Sequence, residues 1–205
     1  MYEFEKALLE QGYHTIAGCD EVGRGPLAGP LVAAAVVLDP GVSIEGLNDS
    51  KKLSEKKRNI LAKKIKEKAL YYKVVFIDSD EVDRLNVYKA SQKAMTEAVN
   101  ALEIIDYVLS DALPLPGVEC PVKSIIKGDG KSASIAAASI LAKVERDAYM
   151  IELGRVFPEY GFETHKGYPT KKHLNALGDH GITPHHRKTY APVKKMIEQQ
   201  IALKV

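Results

Sequence analysis

The chain has 205 residues, 45% of them hydrophobic, and a formal net charge of +2. That is enough apolar material for one ordinary core, and no run approaches the ~20 apolar residues of a membrane span. Only two cysteines are present, Cys19 and Cys120, which argues against a disulfide framework and for a reducing, cytoplasmic setting. The first residues, Met1-Tyr2-Glu3-Phe4-Glu5-Lys6, lack the basic start and apolar middle of a secretory leader.

In chain order, Phe4, Ala7 and Leu8 predict a short amphipathic helix. Residues 15–20 read as a strand, and Gly-Arg-Gly-Pro then makes a turn. Leu31 to Leu38 is a near-continuous apolar strand, closed by Asp39-Pro40-Gly41. Leu47 to Lys52 is a polar loop, and Ser54 caps a helix to about Ala69. Tyr72 to Ile77 is a strand, and Asn86 caps a helix to about Leu102. Strands follow at Tyr107–Ser110 and near Val122–Ile126. Ser132 caps a long helix from Ser134 to about Leu153, whose opening is made of small residues fit for close packing on a sheet. Helices are expected near Lys171–Leu177 and Pro192–Ala202. The order predicts an α/β chain with a mixed sheet, a main domain over 1–160 and a small C-terminal helical region over 161–205.

Three apolar runs stop at an acid: Ile16 to Asp20, continued by Glu21; Tyr107 to Asp111; and Ser124 to Asp129. Strand ends in one sheet bring distant residues together, and four clustered carboxylates repel one another unless cations neutralise them. Hard divalent cations take oxygen ligands, and Mg²⁺ commonly combines a few carboxylates with substrate phosphates. The pattern points to metal-assisted chemistry on a phosphodiester. Spacing alone does not say which acids converge, because Val74 to Asp78-Ser79-Asp80 is a fourth run of the same kind, and most acids are simply solvated.

Charge is uneven. Residues 161–205 carry eight Lys/Arg and three Asp/Glu, while the rest carries 21 and 24; five of the six histidines also fall in that last segment. An acidic site region followed by a basic tail suits a polyanionic partner, and a solvated helical surface accounts for it equally well.

The sequence Asp20-Glu21-Val22-Gly23-Arg24-Gly25 resembles ribonuclease HII, a type 2 ribonuclease H. The resemblance continues through Pro26 to Pro30, Asn48-Asp49-Ser50-Lys51-Lys52-Leu53, Ser110-Asp111 and Lys127-Gly128-Asp129. It runs on through Ser134 to Val144, Arg146-Asp147, His165-Lys166-Gly167-Tyr168-Pro169-Thr170 and His173, in the family's order over nearly the whole chain. It implies a ribonuclease H-like fold, a mixed β-sheet flanked by helices. It implies cutting of RNA in RNA–DNA hybrids and 5′ to single ribonucleotides embedded in duplex DNA, leaving 3′-hydroxyl and 5′-phosphate ends. Mg²⁺ or Mn²⁺ is implied as cofactor, two ions per site once substrate is bound, with Asp20, Glu21, Asp111 and Asp129 as the ligands. Asp78 and Asp80 match no catalytic position.

The same resemblance assigns the backbone of Gly23-Arg24-Gly25 to the ribose 2′-hydroxyl, the group that separates RNA from DNA. It assigns Tyr168 to a sugar at the RNA–DNA junction and Lys51 to a phosphate. Lys143 and Arg146, about one helical turn apart, are candidates to face nucleic acid. A monomer is expected, without a sliding-clamp tether motif after Met196. Other readings are weaker. Gly128-Asp129-Gly130-Lys131-Ser132 lacks the first glycine of a triphosphate loop, since Ile125 stands there. A zinc site from His180, His185 and His186 lacks a cysteine pair at the right spacing. A non-catalytic nucleic-acid binder has no use for all four acids, and a resolvase would differ by choosing four-way junctions.

Overall fold

The computed structural model describes residues 1–202, and side chains through residue 199. The expectation about a tether motif falls partly on residues 203–205, which lie outside the described residues. The strands are β1 (Ile16–Val22), β2 (Leu31–Leu38), β3 (Ala69–Ile77), β4 (Tyr107–Asp111) and β5 (Val122–Ile125), in one sheet of order β3-β2-β1-β4-β5. β1 runs antiparallel to β2, with Ala17 opposite Val37 and Val22 opposite Val32. On its other side β1 runs parallel to β4, and β4 runs parallel to β5. The sheet is therefore mixed, as its sequence pattern predicts. β2 is buried along all eight residues, which explains an apolar run with no alternation: a strand covered on both faces has no polar side to show. β3, at the sheet edge, is largely exposed and carries Lys73.

The helices are α1 (Glu3–Glu10), α2 (Glu55–Lys68), α3 (Ser79–Leu85), α4 (Val87–Asn100), α5 (Ala133–Val156), α6 (Phe162–His165), α7 (Lys171–His180) and α8 (Ala191–Ala202). Ser54 caps α2, its hydroxyl accepting from the Lys57 N–H, and Asn86 caps α4 through the N–H groups of Tyr88 and Lys89. Ser132 caps α5 by accepting from Ile135 N–H at 3.2 Å. α3 and α6 have no counterpart in the sequence reading. In α3, Asp78 accepts from the Glu81 N–H at 2.7 Å, so this acid is a helix cap and not a site carboxylate. α6 is a single turn between two left-handed residues, Gly161 and Lys166.

Contacts divide the chain into two compact units. The first comprises Met1–Val22, Val32–Phe76 and Ser91–Glu145; the second comprises Gly23–Leu31, Ile77–Ala90 and everything from Arg146 on. Residues 161–205 thus share a unit with segments from much earlier in the chain. The first unit's core packs Val32, Ala34 and Val36 with Leu61, Ile65, Ala136, Ala137, Ala138, Ile140 and Leu141. The second has two clusters, one around Met150, Tyr160 and Phe162 and one around Leu27, Leu177 and Val193. Among the described residues no helix is long and apolar enough to cross a membrane.

Within the first unit one glycine decides how α5 meets the sheet. A Cβ on Gly18 would lie 2.0 Å from the Ser134 carbonyl carbon and 2.3 Å from the Ile135 nitrogen. Only a residue without a side chain lets the α5 backbone sit directly on β1. The small opening of α5 is the other half of that contact: Ala133, Ser134, Ala136, Ala137 and Ala138 are all buried. The first turn of α5 is also held by α1, where the buried Glu5 accepts from the Ser132 hydroxyl at 2.6 Å and the Ser134 N–H at 2.9 Å.

Candidate active site

The first unit brings the acids together through strand register. Cys19 pairs with Ser110 across the parallel β1–β4 ladder, so Asp20 and Asp111 follow at the ends of the same two strands' pairing. Asp111 in turn pairs with Ile125 of β5. Beyond β5 the chain turns at Lys127, in the left-handed region with φ 57°, into the 3₁₀ turn Gly128–Gly130 that carries Asp129. The Gly128 N–H donates to Asp111 Oδ1 at 2.6 Å. A Cβ on Gly128 would meet Ile135 Cδ1 at 2.5 Å and Asp111 Oδ1 at 3.3 Å, so a larger residue would displace the Ile135 side-chain tip beside the strand end.

Asp20 and Asp129 are buried, and Glu21 and Asp111 are half-buried. Burial pushes the Asp20 carboxyl well above the usual carboxylate range, and repulsion from Glu21 and then Asp111 adds to it. Two hydrogen bonds work the other way, from the Glu21 N–H at 2.7 Å and from the Ser139 hydroxyl. Burial also raises Asp129, helped by the charges of Asp49 and Asp111 and opposed by Lys51. Lys51 Nζ stands 4.0 Å from Asp129 Oδ2 with its side chain largely exposed. Asp49 is an acid the sequence reading passed over as part of the polar loop; its carboxylate caps the turn Ser50–Lys52 by accepting from the Lys51 N–H.

Among the described residues, no three His, Cys, Asp or Glu side chains stand close enough together to hold a metal ion as they are. The chemistry of the donors does fit a hard divalent cation. They are carboxylate oxygens, two of the four residues are buried, and their mutual repulsion is what a cation would offset.

The remaining candidates fall in different settings. Lys143 is half-buried on α5. Arg146 does not face nucleic acid. It is fully buried, and its guanidinium donates to the carbonyls of Pro30 at 2.9 Å, Lys166 at 3.0 Å and Ala28 at 3.3 Å. Burial lowers its pKa to about 10. It is a clamp on the main chain of the second unit, with each of its three nitrogens donating to a carbonyl. Gly23 is packed against it: with φ +93°, a Cβ there would lie 2.4 Å from Arg146 Nε and 2.8 Å from the Pro30 carbonyl oxygen. Arg24 and Gly25 are exposed, and Tyr168 is 39% exposed. A Cβ on Gly25 would sit 3.6 Å from Tyr168 Cε1, so this loop and this ring are neighbours.

Tyr168 is held by a chain of histidines that the sequence marked only as a cluster. The Thr183 N–H donates to His186 Nδ1 at 2.9 Å, which puts the His186 proton on Nε2. That proton faces His173 Nε2 at 3.0 Å, so His173 carries its own on Nδ1 and donates it to the Tyr168 carbonyl at 2.9 Å. His165 stacks on His173 with ring centroids 4.7 Å apart, accepts from the Gly167 N–H and bonds the Tyr160 carbonyl through Nε2. Burial lowers the pKa of all three rings, that of His186 to about 3. Asp80 and Asp83 are also spoken for, binding Lys188 and Thr189.

A mixed five-stranded sheet flanked by helices is the architecture of the ribonuclease H-like class. The family model for ribonuclease HII matches residues 17–193. A ribonuclease HII of Oceanobacillus iheyensis is 51% identical over 196 residues, covering 95% of this chain and 75% of that one. The crystal structure of ribonuclease H2 from Pyrococcus horikoshii superposes with a TM-score of 0.78 at 28% identity, over 90% of this chain and 98% of that one. Bst-RNase HIII, solved in complex with Mn²⁺, shares the fold at 19% identity and a TM-score of 0.65, over 93% of this chain and 71% of that one. The chain belongs to the ribonuclease HII family, endoribonucleases that cleave RNA in RNA–DNA hybrids and at ribonucleotides in DNA.

Proposed function

We propose that Asp20, Glu21, Asp111 and Asp129 would hold divalent metal, Mg²⁺ or Mn²⁺, with two ions once substrate is bound. The observation that carries this is the pair of buried carboxyls, Asp20 and Asp129, raised by burial and by their acidic neighbours. The Mn²⁺ complex of Bst-RNase HIII supports the choice of metal. When bound, the ions supply the positive charge that the transition state of phosphodiester hydrolysis requires.

The chain's own residues do the rest. The strand ends hold the carboxylates in place, and Ser139 and the Glu21 N–H orient Asp20. The exposed Lys51, 4.0 Å from Asp129 Oδ2, is placed to meet a phosphate beside it. In the second unit, the Gly23–Gly25 loop reads the ribose 2′-hydroxyl, with the Arg24 side chain available to a phosphate, and Tyr168 packs on the neighbouring sugar. Water forms a bond to phosphorus as the bond to the 3′-oxygen breaks, and that oxygen leaves as the 3′-hydroxyl after taking up a proton. The cut falls 5′ to a lone ribonucleotide, which ends up at the 5′-phosphate end of its product. The enzyme works as a monomer in the cytoplasm.

The test is cleavage of a DNA duplex carrying one ribonucleotide, with Mg²⁺, with Mn²⁺ and with chelator, and with products mapped to the nucleotide. One cut 5′ to the ribonucleotide, lost in chelator, is the expected result. Cutting that persists in chelator, or falls 3′ to the ribonucleotide, would overturn the reading.

A further inference from the structure

Five main-chain carbonyls of the 23–30 loop of the second unit, those of Arg24 and of Leu27 through Pro30, accept hydrogen bonds from Arg187, Tyr190 or Arg146. The carbonyl of Arg24 accepts from Arg187 Nη1 at 3.1 Å and from the Tyr190 hydroxyl at 2.6 Å. The carbonyl of Leu27 accepts from the Arg187 N–H at 2.8 Å, and that of Gly29 from Arg187 Nη2 at 2.9 Å. Ala28 and Pro30 turn their carbonyls to Arg146. Arg187 is fully buried and lies 5.2 Å from the Tyr190 ring centroid, while its Nη1 also donates to the Tyr190 oxygen at 3.0 Å. A fully buried guanidinium is expensive to desolvate, and this one turns both terminal nitrogens of its fork to main-chain oxygens of a single loop, leaving Nε without a partner among the described residues.

The geometry of the peptide unit gives this a consequence. In a trans peptide the C=O and the N–H of one plane point in opposite directions, and the Arg24–Gly25 peptide is trans. Drawing the Arg24 carbonyl inward therefore turns the Gly25 N–H outward. Gly25 is exposed, and the Tyr168 ring lies beside it. Without the two inward donors, a loop containing two glycines has many other orientations for this peptide.

We propose that Arg187, assisted by Tyr190, is the positioning residue for ribose recognition: by holding the Arg24 carbonyl it presents the Gly25 N–H as a fixed donor to the 2′-hydroxyl oxygen of the substrate. The inference rests on the reading that the Gly23–Gly25 loop faces the ribose. Preorganisation of a single donor sharpens discrimination between RNA and DNA without adding general affinity.

The test measures dissociation constants, in chelator so that no strand is cut, for a duplex with one ribonucleotide and for the same duplex with a deoxyribonucleotide there. Their ratio is the readout, because a purely structural loss of folded protein moves both constants together. Arg187→Lys keeps the charge but loses the fork; Tyr190→Phe keeps the ring and loses the donor to Arg24 together with the acceptor for Arg187 Nη1. The ratio is expected to fall about tenfold in Arg187→Lys and about threefold in Tyr190→Phe, with affinity for the all-DNA duplex within about twofold. Should Arg187→Lys fail to fold, Tyr190→Phe decides. A ratio unchanged in the folded variants, or an equal loss on both duplexes, overturns the role of Arg187 alone. A wild-type ratio near one brings down the 2′-hydroxyl reading itself, and this role with it.

Discussion

The two units bury charge of opposite sign and handle it in opposite ways. In the first, Asp20 and Asp129 are buried close to other acids, and much of their environment raises the cost of ionisation. In the second, Arg146 and Arg187 are buried deeper still, yet each donates to two or more main-chain carbonyls, and of their side-chain nitrogens only Arg187 Nε lacks a partner among the described residues. The acids are left short of compensation, which is how a cation gains a grip; the arginines are largely compensated, and their role is to fix the main chain. Burial alone therefore does not mark a charged group as catalytic. What matters is whether its partners are already present in the protein.

The sharpest way to break this contrast is Asp129→Asn. With saturating Mg²⁺, cleavage of the single-ribonucleotide duplex should drop about a thousandfold, ~4 kcal/mol of barrier. In metal-free buffer the same variant should melt no lower than wild type, and up to a few degrees higher, because a repelled buried charge is gone. Near-normal cleavage would remove Asp129 from the site. Second in size is Gly18→Ala. The new Cβ has backbone, not a flexible side chain, in its way, so a loss of about 3 kcal/mol is expected in urea unfolding. Activity should fall as well, since α5 and the Asp129 turn are contiguous.

The second unit offers an internal control. Gly23→Ala should cost about 2 kcal/mol, because it meets Arg146 and the Pro30 carbonyl from a left-handed backbone. Gly25→Ala, with only an ordinary contact to Tyr168 ahead of it, should stay within about 0.5 kcal/mol. Equal losses would mean the loop is not clamped as described. The smallest effect per step is in pH. The unfolded chain takes up protons on its histidines near pH 6.5, while folded His186 resists down to about 3. Folded stability is therefore intact above about pH 6.5 and declines below it, by about 1 kcal/mol per pH unit for this residue. A melting temperature flat from pH 7 to 5 would contradict the neutral histidine chain.

Much of this architecture could be read from short-range signals. The apolar runs, the Ser54, Asn86 and Ser132 caps and the acids at strand ends are local patterns, and each governs the few residues around it. α3 was also legible, since Asp78 followed three residues later by Glu81 is a capping signature that the preceding strand obscured. Arg146 was misread because its position on α5 says nothing about the loop that returns over it from 116 residues earlier. Arg187 carries no local signal at all: its partners, Arg24 and Gly29, lie some 160 residues away in the chain. Asp49 escaped notice for a similar reason, since its effect on Asp129 is purely spatial.

The row from Thr183 through His186 and His173 to Tyr168 has a direction, because each ring has one nitrogen that gives and one that receives. The ends of the row fix that direction, since a main-chain N–H can only donate and a main-chain carbonyl can only accept. Reversing either imidazole, or both together, would set two donors or two acceptors face to face, so neither ring is free to flip. In a nitrogen-15 spectrum the two linked histidines should appear as opposite tautomers, His186 protonated at Nε2 and His173 at Nδ1. A single lesion anywhere along the row should scramble both signals at once, which makes the orientation of the ring-bearing loop at Tyr168 observable from a site buried well behind it.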